Sequence, residues 1–246
     1  MKKELEVILI AHPKNMEQIV ASAAKLCYSP SAIKDILHVN SKEAREFIKY
    51  LMKLGHESPL EHGTYTFGVE GISRACSHQL VRHRIGCSYS QQSQRYVDES
   101  SQKNTGDCFD FIVPPNISKI GREQWYTEKM QIMQGWYDEI SGALKSADIT
   151  GEANTEDARF LLPNATETKI IVSMNPRSLL NFFKQRLCNR AQWEIRRLAE
   201  KMYDLVLPTA PSIFQYAGPP CVYGRCREGK RSCGKSEEKK TKFLKK

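Results

Sequence analysis

The 246-residue sequence lacks several features that would assign it quickly to a class of protein. No apolar run approaches the roughly 20 residues of a membrane span. Its start, MKKELEVILIAH, has a short apolar run that glutamate interrupts, which is unlike a secretory signal peptide. There is no P-loop, G-x-G-x-x-G turn or G-x-S-x-G elbow, so neither a Rossmann dinucleotide site nor a serine hydrolase is indicated. We therefore expect a soluble, cytoplasmic protein with no membrane partner.

The sequence also lacks a C-x2-C pair, although it has eight cysteines. Five are scattered, as reduced thiols of a cytosolic protein would be: Cys27, Cys76, Cys87, Cys108 and Cys188. The last three, Cys221, Cys226 and Cys233, leave two interpretations open: a zinc site with no obvious fourth ligand, or a loosely ordered tail. The H-x5-H spacing of His56 and His62 does not bring both rings onto one helical face, so no metal site is predicted there.

The net charge of +9 is concentrated at the C-terminus. Residues 221–246 contain ten Lys/Arg and three Asp/Glu, so the rest of the chain carries only +2. A lysine-rich tail is usually disordered and solubilising. A nucleic-acid partner is therefore not predicted, although an RNA-binding protein that uses the tail and a basic loop is the rival interpretation.

The pattern of elements predicts an α+β protein. A buried strand is expected in LEVILIAH, followed by helices over 15–27 and from Ser41 as N-cap to Gly55. HESPLEH should begin a helical turn capped by Ser58, with Glu61 completing a capping box. A strand over 64–70, a helix capped by Ser73, a short strand in FDFIV and helices over 118–148 and 155–162 follow. TETKIIVSM is the last strand. We expect one domain over 1–218 and a flexible Cys/Lys-rich tail over 219–246.

The most strongly patterned helix is expected from Asn175-Pro176 to about Leu207. On a helical wheel, Asn181 lies on the same side as Arg177, whereas Arg186 and Arg190 lie together on the opposite side. Such polar pairs could simply be solvent-exposed residues on either side of the apolar face of an amphipathic helix. They could also present guanidinium and amide groups to two anionic ligands.

The stretch RHRIGCSYSQQSQRY, residues 82–96, places three basic side chains before a run of hydroxyls and amides. It has almost no apolar bulk, so packing does not explain it. Charge-assisted hydrogen bonds to a phosphate would explain this composition, and so would a surface that binds single-stranded nucleic acid.

The sequence resembles the flavin-dependent thymidylate synthases over residues 1–218. The resemblance rests on RHR with SYSQQSQRY, on GHESPLEH before it and on MNPRSLLNFFKQRLCNRAQWEIR after it. The resemblance implies an α+β fold with a central, largely antiparallel sheet flanked by helices, assembled as a homotetramer with shared active sites. It implies reductive methylation of dUMP to dTMP, with the one-carbon unit from methylenetetrahydrofolate and electrons from NADPH through bound FAD.

The same resemblance implies roles for individual residues. The flavin contacts would be Arg82, His83, Arg84, Ser58, Glu61, Asn175, Arg177 and Asn181. The dUMP contacts would be Gln79, Arg82, Gln91, Gln92, Ser93, Gln94, Arg95, Arg159 and Arg186. The catalytic residues would be Arg186, Ser93 and His56, with Arg186 stabilising negative charge on the pyrimidine and Ser93 orienting the substrate without covalent attack.

Three departures from the family pattern are visible. The family usually has seven residues between RHR and the serine, whereas Ile85 to Gln92 make eight. We expect the extra residue among Ile85, Gly86 and Cys87, where glycine can absorb a local bulge. Gln91 stands where some members have glutamate, and Arg190 where some have histidine.

Overall fold

The computed structural model describes residues 1–103 and 108–244 and confirms the predicted α+β class. The four strands form one antiparallel sheet in the order β1-β2-β4-β3. Their bounds are β1 Glu6–Ala11, β2 Tyr65–Ser73, β3 Cys87–Gln91 and β4 Glu167–Met174. The predicted strand in FDFIV contributes only isolated bridges at Phe111.

Helices connect and flank the strands. Before β4 they are α1 Met16–Leu26, α2 Ile33–Ile36, α3 Ser41–Leu54, α4 Arg74–Leu80, α5 Pro115–Lys119, α6 Glu123–Ser146 and α7 Glu152–Ala158. After β4 they are α8 Pro176–Arg186, α9 Trp193–Val206, α10 Pro211–Phe214 and α11 Ser236–Leu244. Short 3-10 turns lie at Ser58–Glu61, Arg159–Leu161, Leu207–Thr209, Pro220–Val222 and Gly229–Arg231. None of the helices within the described ranges is long and apolar enough to cross a membrane.

The chain divides into two compact units, and every strand contributes residues to both. Unit 1 comprises Met1–Glu6, Val69–Val81 and Ser90–Ile171. An apolar cluster in this unit joins Phe109, Phe111 and Val113 to Met130 of α6. This unit contains Arg159 and all but the first two residues of the SYSQQSQRY stretch.

Unit 2 comprises Val7–Gly68, Arg82–Tyr89 and the chain from Val172 onward. An aromatic series forms part of its core: the Phe183 and Tyr203 ring centroids are 5.7 Å apart, and those of Tyr203 and Phe243 5.2 Å. Phe243 belongs to α11 and is 1% exposed. Residues 219–244 therefore belong to unit 2, while the flexibility expected of them stays a prediction.

Several local predictions are confirmed by the caps. The Ser73 hydroxyl accepts a hydrogen bond from the Cys76 backbone N–H at 3.0 Å, and Asn175 Oδ1 accepts one from Ser178 N–H at 2.8 Å. Gly55 ends α3 in the left-handed conformation, with a φ of 75°. The N-cap of α3, however, is Asn40 rather than Ser41, because Asn40 accepts from the Glu43 N–H.

Two other local predictions are wrong. β1 is not buried, since Ile8 and Ile10 are 55% and 53% exposed. The HESPLEH turn is a 3-10 helix without a side-chain cap at its start, so the capping box of Ser58 and Glu61 does not form.

The long C-terminal helix is also wrong as predicted, because it is two helices, α8 and α9, interrupted at residues 187–192. The interruption has its own hydrogen bonds. Gln192 Oε1 accepts from the Glu194 N–H at 2.9 Å, and Arg196 Nη1 donates to the Asn189 carbonyl at 3.1 Å. These bonds satisfy backbone groups that a continuous helix would have paired. Arg190 therefore lies outside both helices, and its position on the wheel does not apply.

Candidate functional site

A cavity of about 980 Å³ lies entirely within unit 2. It is lined by Met52 of α3, the HESPLEH turn, the RHR loop, α8 with Asn175 before it, and the segment from Tyr216 to Arg227. Its charged lining residues are Glu57, Glu61, Arg82, Arg84, Arg177, Lys184, Arg186, Arg225 and Arg227. Seven cations against two carboxylates make this a cavity for an anionic ligand.

The RHR loop is held against the start of α8 at Gly86. Ser178 Oγ donates to the Ile85 carbonyl at 2.6 Å, and the Asn175 N–H donates to the Gly86 carbonyl at 3.2 Å. Gly86 has a φ of 64°, and a Cβ added there would lie 2.4 Å from Asn175 Nδ2. Only glycine fits this conformation and this approach. Whether the extra residue of the RHR-to-serine spacing lies among Ile85, Gly86 and Cys87 stays a prediction.

His83 is buried and aligns Arg186. Its ring meets Phe182 edge-on at 5.0 Å, and its carbonyl accepts from the Tyr89 hydroxyl at 2.6 Å. Arg186 Nε lies 3.0 Å from His83 Nε2. Burial, and then the charge of Arg186, lower the pKa of His83 to about 4. The imidazole is therefore neutral at pH 7, and since arginine can only donate, the ring proton must be on Nδ1.

Arg177 projects from the first turn of α8 and forms ion pairs with two carboxylates of the HESPLEH turn. Its Nη1 bonds Glu61 Oε1, and its Nε lies 3.4 Å from Glu57 Oε2. The Glu61 carboxylate, followed by that of Glu57, raises the pKa of Arg177. All three side chains are about half exposed, so these pairs orient Arg177 more than they stabilise the fold.

Other predicted flavin residues differ in their relation to the cavity. Arg82, Arg84 and Asn181 line it, and Asn181 Oδ1 also accepts from Gln185 at 3.2 Å. His56 and Ser58 are not among the described residues that line it. The His56 Nδ1 atom lies 3.2 Å from the Tyr28 hydroxyl.

The predicted dUMP residues other than Arg82 and Arg186 belong to unit 1. Gln91 Nε2 donates to the hydroxyls of Ser77 and Thr168, both at 3.0 Å. The Gln92 N–H donates to the Lys169 carbonyl at 2.9 Å, which continues the pairing with β4. These two glutamines are thus fixed by the sheet.

The next residues form a turn against α7. The Ser93 hydroxyl accepts from the Arg95 N–H at 3.2 Å, while the Arg95 guanidinium pairs with Glu152 and Glu156 at 3.3 and 2.9 Å. Gln94 Nε2 is buried without a hydrogen-bond partner in the described chain. A buried, unpaired amide donor costs about 1–3 kcal/mol.

Gln79 lies near the end of α4, and Arg159 begins the 3-10 turn after α7. Burial, followed by the nearby charge of Arg159, lowers the pKa of Arg74. Arg74 Nη1 also donates to the Gln92 carbonyl at 3.2 Å. Arg74 was not predicted as a site residue, because nothing in its sequence context distinguishes it from a surface arginine.

The contribution of the tail was not predicted either. Tyr223, Arg225 and Arg227 line the cavity, although no flavin or nucleotide contact was predicted in the tail. The basic composition was visible in the sequence, but only the fold brings these arginines to the same cavity as Arg82 and Arg84.

Comparison with known proteins gives consistent matches. The model of a family described as thymidylate synthase complementing protein matches residues 8–212. The chain is 48% identical over 250 residues to the flavin-dependent thymidylate synthase of Clostridium tetani, covering 98% of this chain and 97% of that protein. It is 46% identical over 241 residues to the one of Geobacter sulfurreducens, covering 97% and 98%.

The fold is similar to that of the UMP/dUMP methylase PolB from Streptomyces cacaoi, solved with 5-Br dUMP bound. The TM-score is 0.67 at 23% identity, covering 87% of this chain and 95% of PolB, a likeness of fold alone. The two curated relatives and the family match, which spans the RHR loop and α8, establish the relationship. The chain belongs to the family of flavin-dependent thymidylate synthases.

Proposed function

We propose that this protein methylates dUMP to dTMP, with methylenetetrahydrofolate as the one-carbon donor and NADPH as the reductant of a bound FAD. Family membership confirms the predicted enzyme class and the flavin. The observation that carries the proposal is the cationic cavity in unit 2, where the RHR loop and the start of α8 meet.

The cavity fits a flavin dinucleotide in size and in charge. Its volume of about 980 Å³ is at the upper end of the range for small-molecule sites. The start of α8 lies on its wall through Asn175, Arg177 and Ser178, and a helix N-terminus favours a phosphate. The absence of a Cβ at Gly86 lets the loop and the helix approach closely. Arg82, His83, Arg84, Asn175, Arg177 and Asn181 would hold the flavin, with Ser58 and Glu61 beside them.

When bound, the flavin would supply the hydride that completes the new methyl group. Arg186 would stabilise negative charge on the uracil ring, and His83 holds its Nε in place. The neutral His83 adds no second charge beside it. Glu57 and Glu61 would keep Arg177 oriented.

The residues of unit 1 would bind the nucleotide. The Gln94 amide supplies an unpaired donor, and Arg159 supplies a cation, while Gln79, Gln91, Gln92 and Arg95 complete the proposed set. Ser93 would orient the substrate: it has no base assigned to deprotonate it, so covalent attack is not proposed. A catalytic role for His56, a homotetramer and a cytoplasmic location also remain proposals.

The test is flavin binding and turnover by the purified full chain. FAD should bind with a visible absorbance spectrum that shifts on adding dUMP, and dTMP formation should require FAD, NADPH and methylenetetrahydrofolate. Arg177→Ala should lower the flavin content, whereas Lys49→Ala, an exposed lysine of α3 paired with Glu46, should not. Reconstituted protein that binds neither FAD nor dUMP would contradict the proposal.

A further inference from the structure

The tail contributes to the cavity although it lies beyond the part of the chain that the family model matches. That match ends at residue 212, whereas Tyr223, Arg225 and Arg227 all line the cavity. The family pattern therefore gives these three residues no role, and their role has to be inferred from the structure.

The tail is anchored to unit 2 on both sides of the loop that carries the arginines. Before the arginines, the Tyr223 hydroxyl donates to the Gln215 carbonyl at 2.6 Å. After them, Phe243 of α11 is 1% exposed, and its ring centroid is 5.2 Å from that of Tyr203. The loop between these contacts therefore forms part of the cavity wall.

This loop lies beside the end of α8. Arg190 Nε is 4.0 Å from Glu228 Oε2, and Asn189 Nδ2 is 3.7 Å from Cys233 Sγ. The HESPLEH turn lies at the other end of α8, where its carboxylates pair with Arg177. A helix of 11 residues is about 16 Å long, so the cavity has one cationic wall at each end of α8.

The two arginines of the tail face the cavity without a protein counterion. Arg225 and Arg227 both line it and are exposed, whereas Cys226 between them does not line it. Within residues 1–103 and 108–244, neither guanidinium has an ion pair or a side-chain hydrogen bond. The two carboxylates that line the cavity, Glu57 and Glu61, both pair elsewhere. Two such guanidinium groups suit a doubly charged anion, such as a phosphate monoester.

The proposed reaction brings two anionic ligands to a chain that already holds FAD. NADPH carries a phosphate monoester on its adenosine ribose, which is close to doubly charged at neutral pH because its second pKa is about 6. Arginine is a common partner of this 2′-phosphate in other NADP sites. Methylenetetrahydrofolate instead carries carboxylates of single charge. The pair of arginines therefore matches the reductant better than the folate.

We propose that Arg225 and Arg227 bind the 2′-phosphate of NADPH and so select NADPH over NADH. The inference rests on the proposed function, because it takes the flavin and its reductant from there. The two arginines would bind the reductant and contribute nothing to the hydride transfer itself.

The test is flavin reduction by the full chain loaded with FAD, without oxygen. The rate of loss of flavin absorbance is measured over a range of NADPH and NADH concentrations. We expect wild-type protein to be half-saturated at about tenfold less NADPH than NADH. Arg225→Ala with Arg227→Ala should raise the value for NADPH about tenfold and leave that for NADH and both limiting rates unchanged. Equal values for the two reductants in wild-type protein, or an unchanged value for NADPH in the variant, would overturn the proposal.

A control in the same loop separates direct contact from general attraction. Lys230→Ala with Arg231→Ala also removes two exposed cations, but neither residue lines the cavity. This pair should keep the wild-type value for NADPH at the same ionic strength. An equal weakening by both pairs of substitutions would refute a specific phosphate contact.

A second measurement needs no variant and so does not depend on a variant's folding. Adenosine 2′,5′-bisphosphate should inhibit flavin reduction in wild-type protein at about tenfold lower concentration than adenosine 5′-monophosphate, because only the bisphosphate carries the 2′-phosphate. Equal inhibition by the two nucleotides would contradict the proposal.

Other outcomes would assign the arginines elsewhere. If Arg225→Ala with Arg227→Ala lowers the flavin content, the arginines belong to the flavin site. If it weakens only the use of methylenetetrahydrofolate in dTMP formation, they bind the folate carboxylates. Either result would overturn the inference and leave the proposed function standing, whereas wild-type protein that takes up no FAD would refute the proposed function itself.

Discussion

Replacing His83 by phenylalanine should disable Arg186 while preserving the packing around the ring. Phenylalanine retains the edge-on contact that His83 makes with Phe182 at 5.0 Å, but it removes the acceptor that lies 3.0 Å from Arg186 Nε. A hydrogen bond to a charged group contributes about 1.5–3 kcal/mol. If this free energy serves to orient Arg186 in the transition state, kcat should fall roughly 10- to 100-fold.

The assay is the initial rate of dTMP formation, expressed per flavin-loaded chain. His83→Gln supplies a carbonyl acceptor and should recover most of the lost rate. A structural defect would not distinguish the two variants in this way. If His83→Phe lowers only the flavin content and leaves the rate per bound flavin unchanged, the idea that His83 acts through Arg186 is refuted.

The same substitution predicts a change in how stability depends on pH. His83 has a pKa of about 4 in the folded chain and near 6.5 when unfolded, so below pH 6.5 the unfolded chain binds the extra proton. The free energy of unfolding should fall by up to about 3 kcal/mol between pH 6.5 and 4 because of this residue. Urea titrations should show a correspondingly smaller fall in His83→Phe. If the free energy of unfolding falls equally between pH 6.5 and 4 in both proteins, His83 is not held neutral in the folded chain.

Three further predictions concern stability and ligand binding. Gly86→Ala should lower the free energy of unfolding by about 2 kcal/mol or more, because its φ of 64° and the 2.4 Å approach to Asn175 both oppose a Cβ. The control Gly135→Ala, in α6 with open space around it, should raise the free energy of unfolding by about 1 kcal/mol. Urea unfolding measures both. Burial first, then Asp110, raises the pKa of Glu99 from 4.5 to about 7, so the free energy of unfolding should fall as the pH rises from 4.5 to 7. Glu99→Gln should therefore stabilise by up to about 3 kcal/mol at pH 8 but little at pH 4 in urea unfolding. Arg177→Ala should lower the free energy of unfolding by less than about 1 kcal/mol, since its ion pairs are half exposed, yet weaken FAD binding in a fluorescence titration.

Local signals predicted the elements whose ends are set by their own residues. Ser73 and Asn175 bond backbone N–H groups three residues ahead, and Gly55 takes the left-handed conformation that ends α3. Such caps involve neighbours in the sequence, so the sequence is enough to find them.

Predictions failed where contacts remote in sequence decide the structure. In the HESPLEH turn, Glu61 has a stronger partner in Arg177, 116 residues away, than in a capping box. The apolar pattern of the C-terminal segment continued across residues 187–192, and hydrophobic periodicity alone does not reveal an interruption with its own hydrogen bonds. The family prediction is confirmed, whereas the roles assigned to single residues stay predictions.

The interruption after α8 lets one segment contribute both to the cavity and to contacts with the tail. If the helix continued past Arg186, Cys188 and Arg190 would follow its rotation and be spaced by the helical repeat. Because α8 ends at Arg186, the cavity keeps the last turn of the helix, with Lys184, Gln185 and Arg186 on its wall. The released residues 188–190 are then free to contact Glu228 and Cys233 of the tail. The interruption that the helical pattern did not predict thus carries residues that contact the tail, and the same tail places Arg225 and Arg227 on the cavity wall.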